Sequence, residues 1–141
     1  MGSPLPNIWY SCFSNFSDHP FELDDQLWFT VEHYFQAAKF ENREQQARIY
    51  QCPSPMTAAL MGKDRSVPIR PDWEKVKREV MDRAINAKFD THTQLDEFLQ
   101  ETTPYPLVNY TAFDPFWGQD KQGKGQNQLG QLLMERRSRM L

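Results

Sequence analysis

The stretch "VEHYFQAAKF", Val31 to Phe40, decides how the chain is read. Val31, Tyr34, Phe35 and Ala38 recur at the spacing of an apolar helical stripe, and Glu32, Gln36 and Lys39 recur beside it. At 100° per residue the three polar groups fall within about 60° of one another, with the apolar stripe centred roughly 100° away. One helix can therefore bury its apolar side and turn an acid, an amide and an amine toward a cleft. A plainer reading of the same pattern stays open. In it Glu32 complements the dipole at the helix start, Lys39 does so at its end, and Gln36 is a solvated spacer.

Working outward, Thr30 stands where an N-cap belongs. Before it, Asp24-Asp25 reads as a turn between two short extended runs, one ending near Leu23 and one covering Leu27 to Phe29. A further strand is expected near Ile8. After the first helix, "NREQQARIYQC" reads as a second, and "SPMTAALMG" as a third, with Ser54 as cap, Pro55 at the first helical position and Gly62 as its stop. Asp72 is placed to cap the longest helix, "WEKVKREVMDRAINAKF", whose Val76, Val80, Ala84 and Ala87 fall at helical intervals. "THTQLDEFLQET" is another short helix, "LVNY" a buried strand, and "NQLGQLLMERRSRML" a last helix. With no internal repeat and no low-complexity linker, residues 1–141 read as a single helix-dominated α+β domain with a few short strands.

Composition narrows the function classes. The chain has 141 residues, a size typical of one domain, and aromatics make up 13 % of it. Net charge is −3, which does not suit a long generic nucleic-acid track. Cys12 and Cys52 form no CxxC pair, and no His/Cys spacing points to zinc, so two reduced thiols and no metal are expected. No apolar run approaches the roughly 20 residues that span a bilayer. The start "MGSPLPNIWY" lacks the marks of a signal peptide and carries Pro6 where myristoylation wants Ser or Thr, so a cytoplasmic location is expected.

Two further stretches carry candidate chemistry. "DPFWGQDKQGKGQNQLG" places Gly118, Gly123 and Gly125, with Lys121 and Lys124, just before a helix, where loop amides and a helix N-terminus can receive an anion. A flexible surface turn accounts for the same residues. "MGKDRSVPIR" brings Lys63, Arg65 and Arg70 into the loop after a capped helix, and arginine presents a planar fork that suits phosphate. The alternative there is a solvated charge cluster.

Four segments in order, "FSNFSDHPFEL", "WFTVEHYFQAAKF", "SPMTAALMGKDRSVPIRPDWEKVKREVMDRAINAKF" and "DPFWGQDKQGKGQNQLGQLLMERR", resemble the NADAR family of YbiA-like proteins. The resemblance runs from about Phe13 to Arg136, and it implies an N-glycosidase fold of mixed α and β structure. Similar members cleave the N-glycosidic bond of early riboflavin-pathway intermediates, pyrimidines carrying ribose 5-phosphate. Others remove ADP-ribose from guanine in nucleic acid. By resemblance Glu32 and Lys39 match the reactive positions, the lysine as the partner of the sugar in a Schiff base. Asn15, Trp28, Arg65, Asp114, Trp117, Gly118 and Asn127 match other motif positions. One departure is Phe29, where the family often has proline after the tryptophan.

What the resemblance implies is hydrolysis at the anomeric carbon of a ribosyl phosphate, with no cofactor and no metal. Lys39 must be neutral to attack, so its site must lower its pKa by burial or by a nearby cation such as Arg65 or Lys63. Glu32 is the proton shuttle, with Asp114 a second acid candidate. Trp28, Trp117 or Phe13 would stack on the base, and Asn15 and Asn127 would read its edge or the ribose. Arg65 and the Gly123–Gly125 amides would hold the phosphate. Three alternatives stand beside this: an ADP-ribosyl-guanine hydrolase acting on nucleic acid, a module that binds ADP-ribose or an NAD derivative without cleaving it, and an interaction protein whose aromatics are all core. The basic tail, with Arg136, Arg137 and Arg139, either touches a phosphate backbone or balances the end of the last helix.

Overall fold

The computed structural model describes residues 4–139. The Met-Gly start weighed above and the last two residues of the expected final helix lie outside the described residues. Among those described, the order is a turn of 3-10 helix at Ser11–Phe13, strands β1 (Phe21–Leu23) and β2 (Gln26–Trp28), then helices α1 (Val31–Ala38), α2 (Arg43–Gln51), α3 (Pro55–Met61), α4 (Trp73–Thr91), α5 (Thr93–Glu101) and α6 (Gln128–Arg139). This is the helix-dominated α+β class expected. The chain forms two compact units, residues 15–91 and residues 1–14 with 92–141.

In the unit of residues 15–91, β1 and β2 form an antiparallel hairpin in the register Phe21↔Trp28 and Leu23↔Gln26. The two turn residues, Asp24 (φ 54°) and Asp25 (φ 63°), both sit in the left-handed region that a tight hairpin turn needs. Aspartate tolerates that conformation better than most residues, and Asp24 is also anchored. Tyr34 donates its hydroxyl to one Asp24 carboxylate oxygen (2.7 Å) and Arg83 binds the other (2.6 Å). The hairpin is thereby tied to α1 and α4. Burial and the Asp24 carboxylate push the Tyr34 phenol upward, so it remains a donor across the neutral range.

Helix α1 begins where its cap dictates: the Thr30 hydroxyl accepts the His33 amide at 3.1 Å. Seven of its eight residues are buried, among α2, α3 and α4. Burying Val31, Tyr34 and Phe35 is worth on the order of 2 kcal/mol each, and that seats the helix. Asn42 caps α2 through the Gln45 amide (2.8 Å) and Ser54 caps α3 through the Thr57 amide (3.1 Å), with Pro55 in the first turn as its fixed φ favours. At the start of α4, Arg70 grips the Asp72 carboxylate at 2.6 and 2.9 Å, and the Asp72 carbonyl receives the Lys75 and Val76 amides. An ion pair takes the place of the expected side-chain cap.

In the other unit, Phe13, Leu95, Leu99, Leu107, Leu129 and Leu133 are buried, and Phe98 packs against Tyr10 and Phe13 with ring centroids 4.9 and 5.6 Å apart. The strands expected near Ile8 and over "LVNY" reduce to single bridges, Ile8↔Leu107 and Tyr110↔Gln119. Pro104 and Pro106 have no amide to extend the first bridge into a ladder, and the second pairs with a different segment.

The basic tail is built into this unit. Arg136 binds Asp96 at 3.0 and 3.1 Å, and Arg137 donates to the Thr102 hydroxyl (3.0 Å) and the Tyr105 carbonyl (2.8 Å). Both arginines are buried, so two of the three tail cations are committed inside the fold and do not form a patch for a phosphate backbone. The Arg136–Asp96 pair has side chains only 6 % and 14 % exposed. Breaking it takes a nearly buried carboxylate away from a buried guanidinium. Asp96→Ala is therefore expected to lower stability by about 3 kcal/mol in urea titration, where a loss under about 1 kcal/mol would mean that water already screens the pair.

Candidate active site

The acid, amide and amine of α1 meet the loop that follows α3. Glu32 and Gln36 are each only 8 % exposed, which rules out the reading of Gln36 as a solvated spacer. The Gln36 Nε2 donates to Glu32 Oε2 at 3.0 Å. Burying polar groups is costly unless they are paired, and the i,i+4 spacing provides the pair. The backbone amide of Glu32 donates to the Asn15 carbonyl at 3.1 Å, so Asn15 closes the start of α1 beside the acid. The Asn15 side-chain amide has no hydrogen-bond partner among the described residues.

Lys39 lies at the end of α1 and is half-buried. Its Nζ donates to the Gly62 carbonyl at 3.0 Å, and Arg65 Nη1 donates to the same oxygen at 2.9 Å. One neutral acceptor thus holds two cations side by side. Burial pulls the Lys39 amine below the ordinary lysine range, the Arg65 charge adds to that, and Lys63 does so more weakly. Glu32 and Glu74 pull in the opposite direction without reversing the result. This is the arrangement that readies an amine for attack: partial desolvation and a second cation, with an acid within electrostatic reach.

Trp28 is placed on the other side of α1. Its indole Nε1 donates to the Leu23 carbonyl (3.0 Å), and its ring meets Tyr34 and Tyr50 edge-on at 5.2 and 4.9 Å. It borders a groove of about 830 Å³ that also takes in Tyr34, Ala37, Ala38 and Glu41. At 100° per residue Tyr34, Ala37 and Ala38 of α1 face opposite to Glu32, Gln36 and Lys39. The structure therefore sets Glu32 and Lys39 along one face of α1, with Asn15 at the start of the helix, Arg65 at its end, and Trp28 on the opposite side.

Asp114, Trp117, Gly118 and Asn127 belong to the unit that holds α5 and α6. Asp114 Oδ1 accepts the amides of Phe116 (3.1 Å) and Trp117 (3.0 Å), and Trp117 packs edge-on against Phe116 at 4.7 Å. Asn127 is buried, with Oδ1 on the Asn109 amide and Nδ2 on the Leu107 carbonyl, both at 2.9 Å. Both ends of its amide hold backbone. Gly118 is required by space, because a Cβ there would strike the Asn109 carbonyl and the Thr111 methyl.

The anion cradle expected of the Gly-rich loop is filled from within. Asp120 Oδ1 accepts the amides of Gln122 and Lys124, both at 2.9 Å, and its carbonyl accepts that of Gly123 at 3.0 Å. The first amides of α6 are also spoken for, Gln128 by the Phe116 carbonyl and Leu129 by that of Trp117. Asp120 thus satisfies the Gln122, Gly123 and Lys124 amides from within the loop.

His33, which the sequence did not single out, anchors α1 from inside. It is 1 % exposed, with Nδ1 2.8 Å from the Thr30 hydroxyl and Nε2 3.1 Å from the Cys52 carbonyl. A neutral ring with its proton on Nε2 satisfies both contacts. Burial lowers its pKa, and the Cys52 carbonyl opposes that only in part. The unfolded chain therefore binds this proton more readily than the folded one. The stability held by the neutral ring is present above pH 6.5 and is lost as pH falls toward the lower folded-state value. The stability gap between the wild type and His33→Gln is expected to shrink as urea titrations move below that pH, whereas a constant gap would mean that the ring does not titrate there.

Among the described residues no group of three or more His, Cys, Asp or Glu is placed to hold a metal, and no helix is long and apolar enough to cross a membrane. Neither Cys12 nor Cys52 takes part in a disulfide among the described residues.

Fold and site together describe a small α+β protein built around a buried acid and a cation-flanked amine on one helix. The chain belongs to the NADAR domain family, whose profile matches residues 6–141, through both units. It is 47 % identical over 131 residues to N-glycosidase YbiA of Escherichia coli (strain K12), covering 93 % of this chain and 82 % of that protein. The NMR structure of E. coli YbiA superposes with a TM-score of 0.88 at 42 % identity, covering 99 % of this chain and 87 % of that one. The chain is also 40 % identical over 147 residues to the chloroplastic riboflavin biosynthesis protein PYRR of Zea mays, matching 94 % of itself to 24 % of that longer protein.

Proposed function

We infer that the chain is a hydrolase of N-glycosyl bonds, and we propose that its substrates are ribosylaminopyrimidine 5'-phosphates, early intermediates of riboflavin biosynthesis. The observation that carries this is the Lys39 amine, held on the Gly62 carbonyl beside Arg65, its pKa lowered by burial, with Glu32 on the same helix face. The names of two relatives support the class and the pathway: YbiA is an N-glycosidase, and PYRR is a riboflavin biosynthesis protein.

In the proposed reaction Glu32 gives a proton to the ring oxygen, the ring C–O bond opens, and the anomeric carbon becomes an imine carbon still bonded to the base nitrogen. The neutral Lys39 amine adds to that carbon. Its proton passes through Glu32 to the base nitrogen, the C–N bond breaks, and the base departs as a free amine. The lysine iminium that remains is hydrolysed by water activated at Glu32, which frees the amine and releases ribose 5-phosphate. Arg65 and Lys63, both exposed next to the amine, hold the phosphate and so position the sugar. Asn15 offers its unused amide to the ribose. Asp114 and Trp117 are proposed as a second acid and a stacking ring from the family motif. The geometry favours Gly118 and Asn127 as builders of the loop that carries them.

The competing substrate, ADP-ribosylated guanine in nucleic acid, gains little from a tail whose Arg136 and Arg137 are bound internally. The test is a parallel assay of a ribosylaminopyrimidine 5'-phosphate and an oligonucleotide bearing ADP-ribosylguanine. Release of ribose 5-phosphate from the first, with kcat/KM at least tenfold higher than for the second, is the expected result. The reverse ranking would overturn the substrate assignment, and binding of ADP-ribose without turnover of either would overturn the enzyme.

A further inference from the structure

Gly62 looks in sequence like a helix stop, and helices often end on a glycine because the next residue turns left-handed. That is not its role here. Gly62 has φ −65° and ψ −17°, ordinary right-handed helical values that any residue adopts. Its conformational freedom is unused, so the reason for the missing side chain lies in what surrounds it.

A Cβ at Gly62 would fall on the Oε1 and Cδ atoms of Gln36 and lie 3.3 Å from its Cγ. The Gln36 side chain occupies the space that a Gly62 side chain would take. Gln36 cannot turn over to escape, because Nε2 is committed to Glu32 Oε2 and an exchanged Oε1 would face the carboxylate. The cost of this choice is visible, since Gln36 Oε1 is buried without a hydrogen-bond partner among the described residues. A buried orphan acceptor is tolerated where the other end of the group is needed. The Gly62 carbonyl meanwhile receives Lys39 and Arg65.

We propose that Gly62 and Gln36 are positioning residues for the two reacting groups: the bare Cα of Gly62 gives the Gln36 amide the room from which it holds the Glu32 carboxylate, and the Gly62 carbonyl holds the Lys39 amine. This rests on the reading of Glu32 and Lys39 as the reacting pair. One backbone position thereby fixes the acid through a side-chain amide and the amine directly.

The two contacts can be separated. Gly62→Ala keeps the carbonyl and an allowed backbone, and the obstacle it meets is the far end of a flexible side chain, so the protein folds and the Gln36 amide is displaced. The experiment uses protein labelled with 13C at the glutamate carboxyl, with the Glu32 signal assigned by its loss in Glu32→Gln. That resonance and steady-state kinetics on a ribosylaminopyrimidine 5'-phosphate are followed in Gly62→Ala, Gln36→Ala and the double variant. Both single variants are expected to shift the Glu32 resonance and to lower kcat by about ten- to a hundredfold with KM within about twofold. The double variant is expected to match Gln36→Ala alone, because the clash needs the glutamine. An unmoved resonance in Gly62→Ala, or effects that multiply in the double variant, would overturn the proposal. A resonance that moves while kcat stays unchanged in Gly62→Ala would overturn the positioning role alone, provided that Glu32→Gln is inactive. Full turnover in Glu32→Gln would overturn the reading of the site itself, and the positioning role with it.

Discussion

Lys39→Met is expected to lower kcat/KM by about a thousandfold or more while the protein keeps its fold. The size of the loss follows from removing the atom that forms the covalent intermediate, after which only binding and whatever Glu32 can do with water remain. Stability is expected to move the other way. Burial holds the Lys39 pKa below the ordinary lysine range, so the folded protein binds that proton less readily than the unfolded chain. For a group depressed in this way, stability is full above the unfolded pKa and is lost as pH falls through the folded value, so at neutral pH the charged amine is a net cost. Methionine fills similar space without the charge, and Arg65 remains on the Gly62 carbonyl. A thermal midpoint at or above that of the wild type, together with lost turnover, is the signature of a residue kept for chemistry. A variant that is both inactive and several degrees less stable would place Lys39 among the structural contacts. In the wild type, kcat/KM is expected to rise with pH as the amine loses its proton, the limb lying below the ordinary lysine range.

Glu32→Gln is expected to cost between about a hundredfold and ten-thousandfold in kcat, the range for removing a proton-transfer group from a reacting site. The substitution is nearly isosteric, and its amide oxygen can still accept from Gln36 Nε2, so the buried pair survives. What disappears is the capacity to carry a proton, first to the ring oxygen, then to the departing nitrogen, then from water. The variant is therefore expected to lose one limb of the pH profile as well as rate. Stopped-flow release of the free base would show where the loss falls. Slowed base release places Glu32 before C–N cleavage, and a burst followed by slow turnover places it chiefly at iminium hydrolysis. A loss of less than about threefold would remove Glu32 from the reaction and leave the carboxylate as a partner of the helix start.

Much of this was legible in the sequence because local rules decided it. Thr30 and Ser54 announced the starts of α1 and α3, and the apolar periods picked out Val31, Tyr34 and Phe35 of α1 and Val80 and Ala84 of α4, all of them buried. The alignment of Glu32, Gln36 and Lys39 needed only the helical repeat. What stayed hidden depended on partners distant in sequence. Nothing near Trp28 reveals that it sits behind α1, since that depends on how the hairpin folds over Tyr34 and Tyr50. The Gly-rich loop looks like an anion cradle when its glycines and lysines are counted, a count that leaves out Asp120, whose carboxylate accepts the Gln122 and Lys124 amides. The tail arginines read as contacts for a phosphate backbone or as a balance for the last helical turn, yet Arg136 is paired with Asp96, forty residues away. "LVNY" has the composition of a strand, but the prolines before it deny it a ladder. Gly62 shows the same limit, because its neighbour in space, Gln36, is on another helix.

The most direct test of the account is reductive trapping. The wild-type protein is mixed with a ribosylaminopyrimidine 5'-phosphate, quenched with borohydride during turnover, digested and read by mass spectrometry. The account predicts a ribityl phosphate adduct on the peptide that carries Lys39, absent in Lys39→Met and absent without substrate. Continued turnover with no adduct on Lys39 would contradict it.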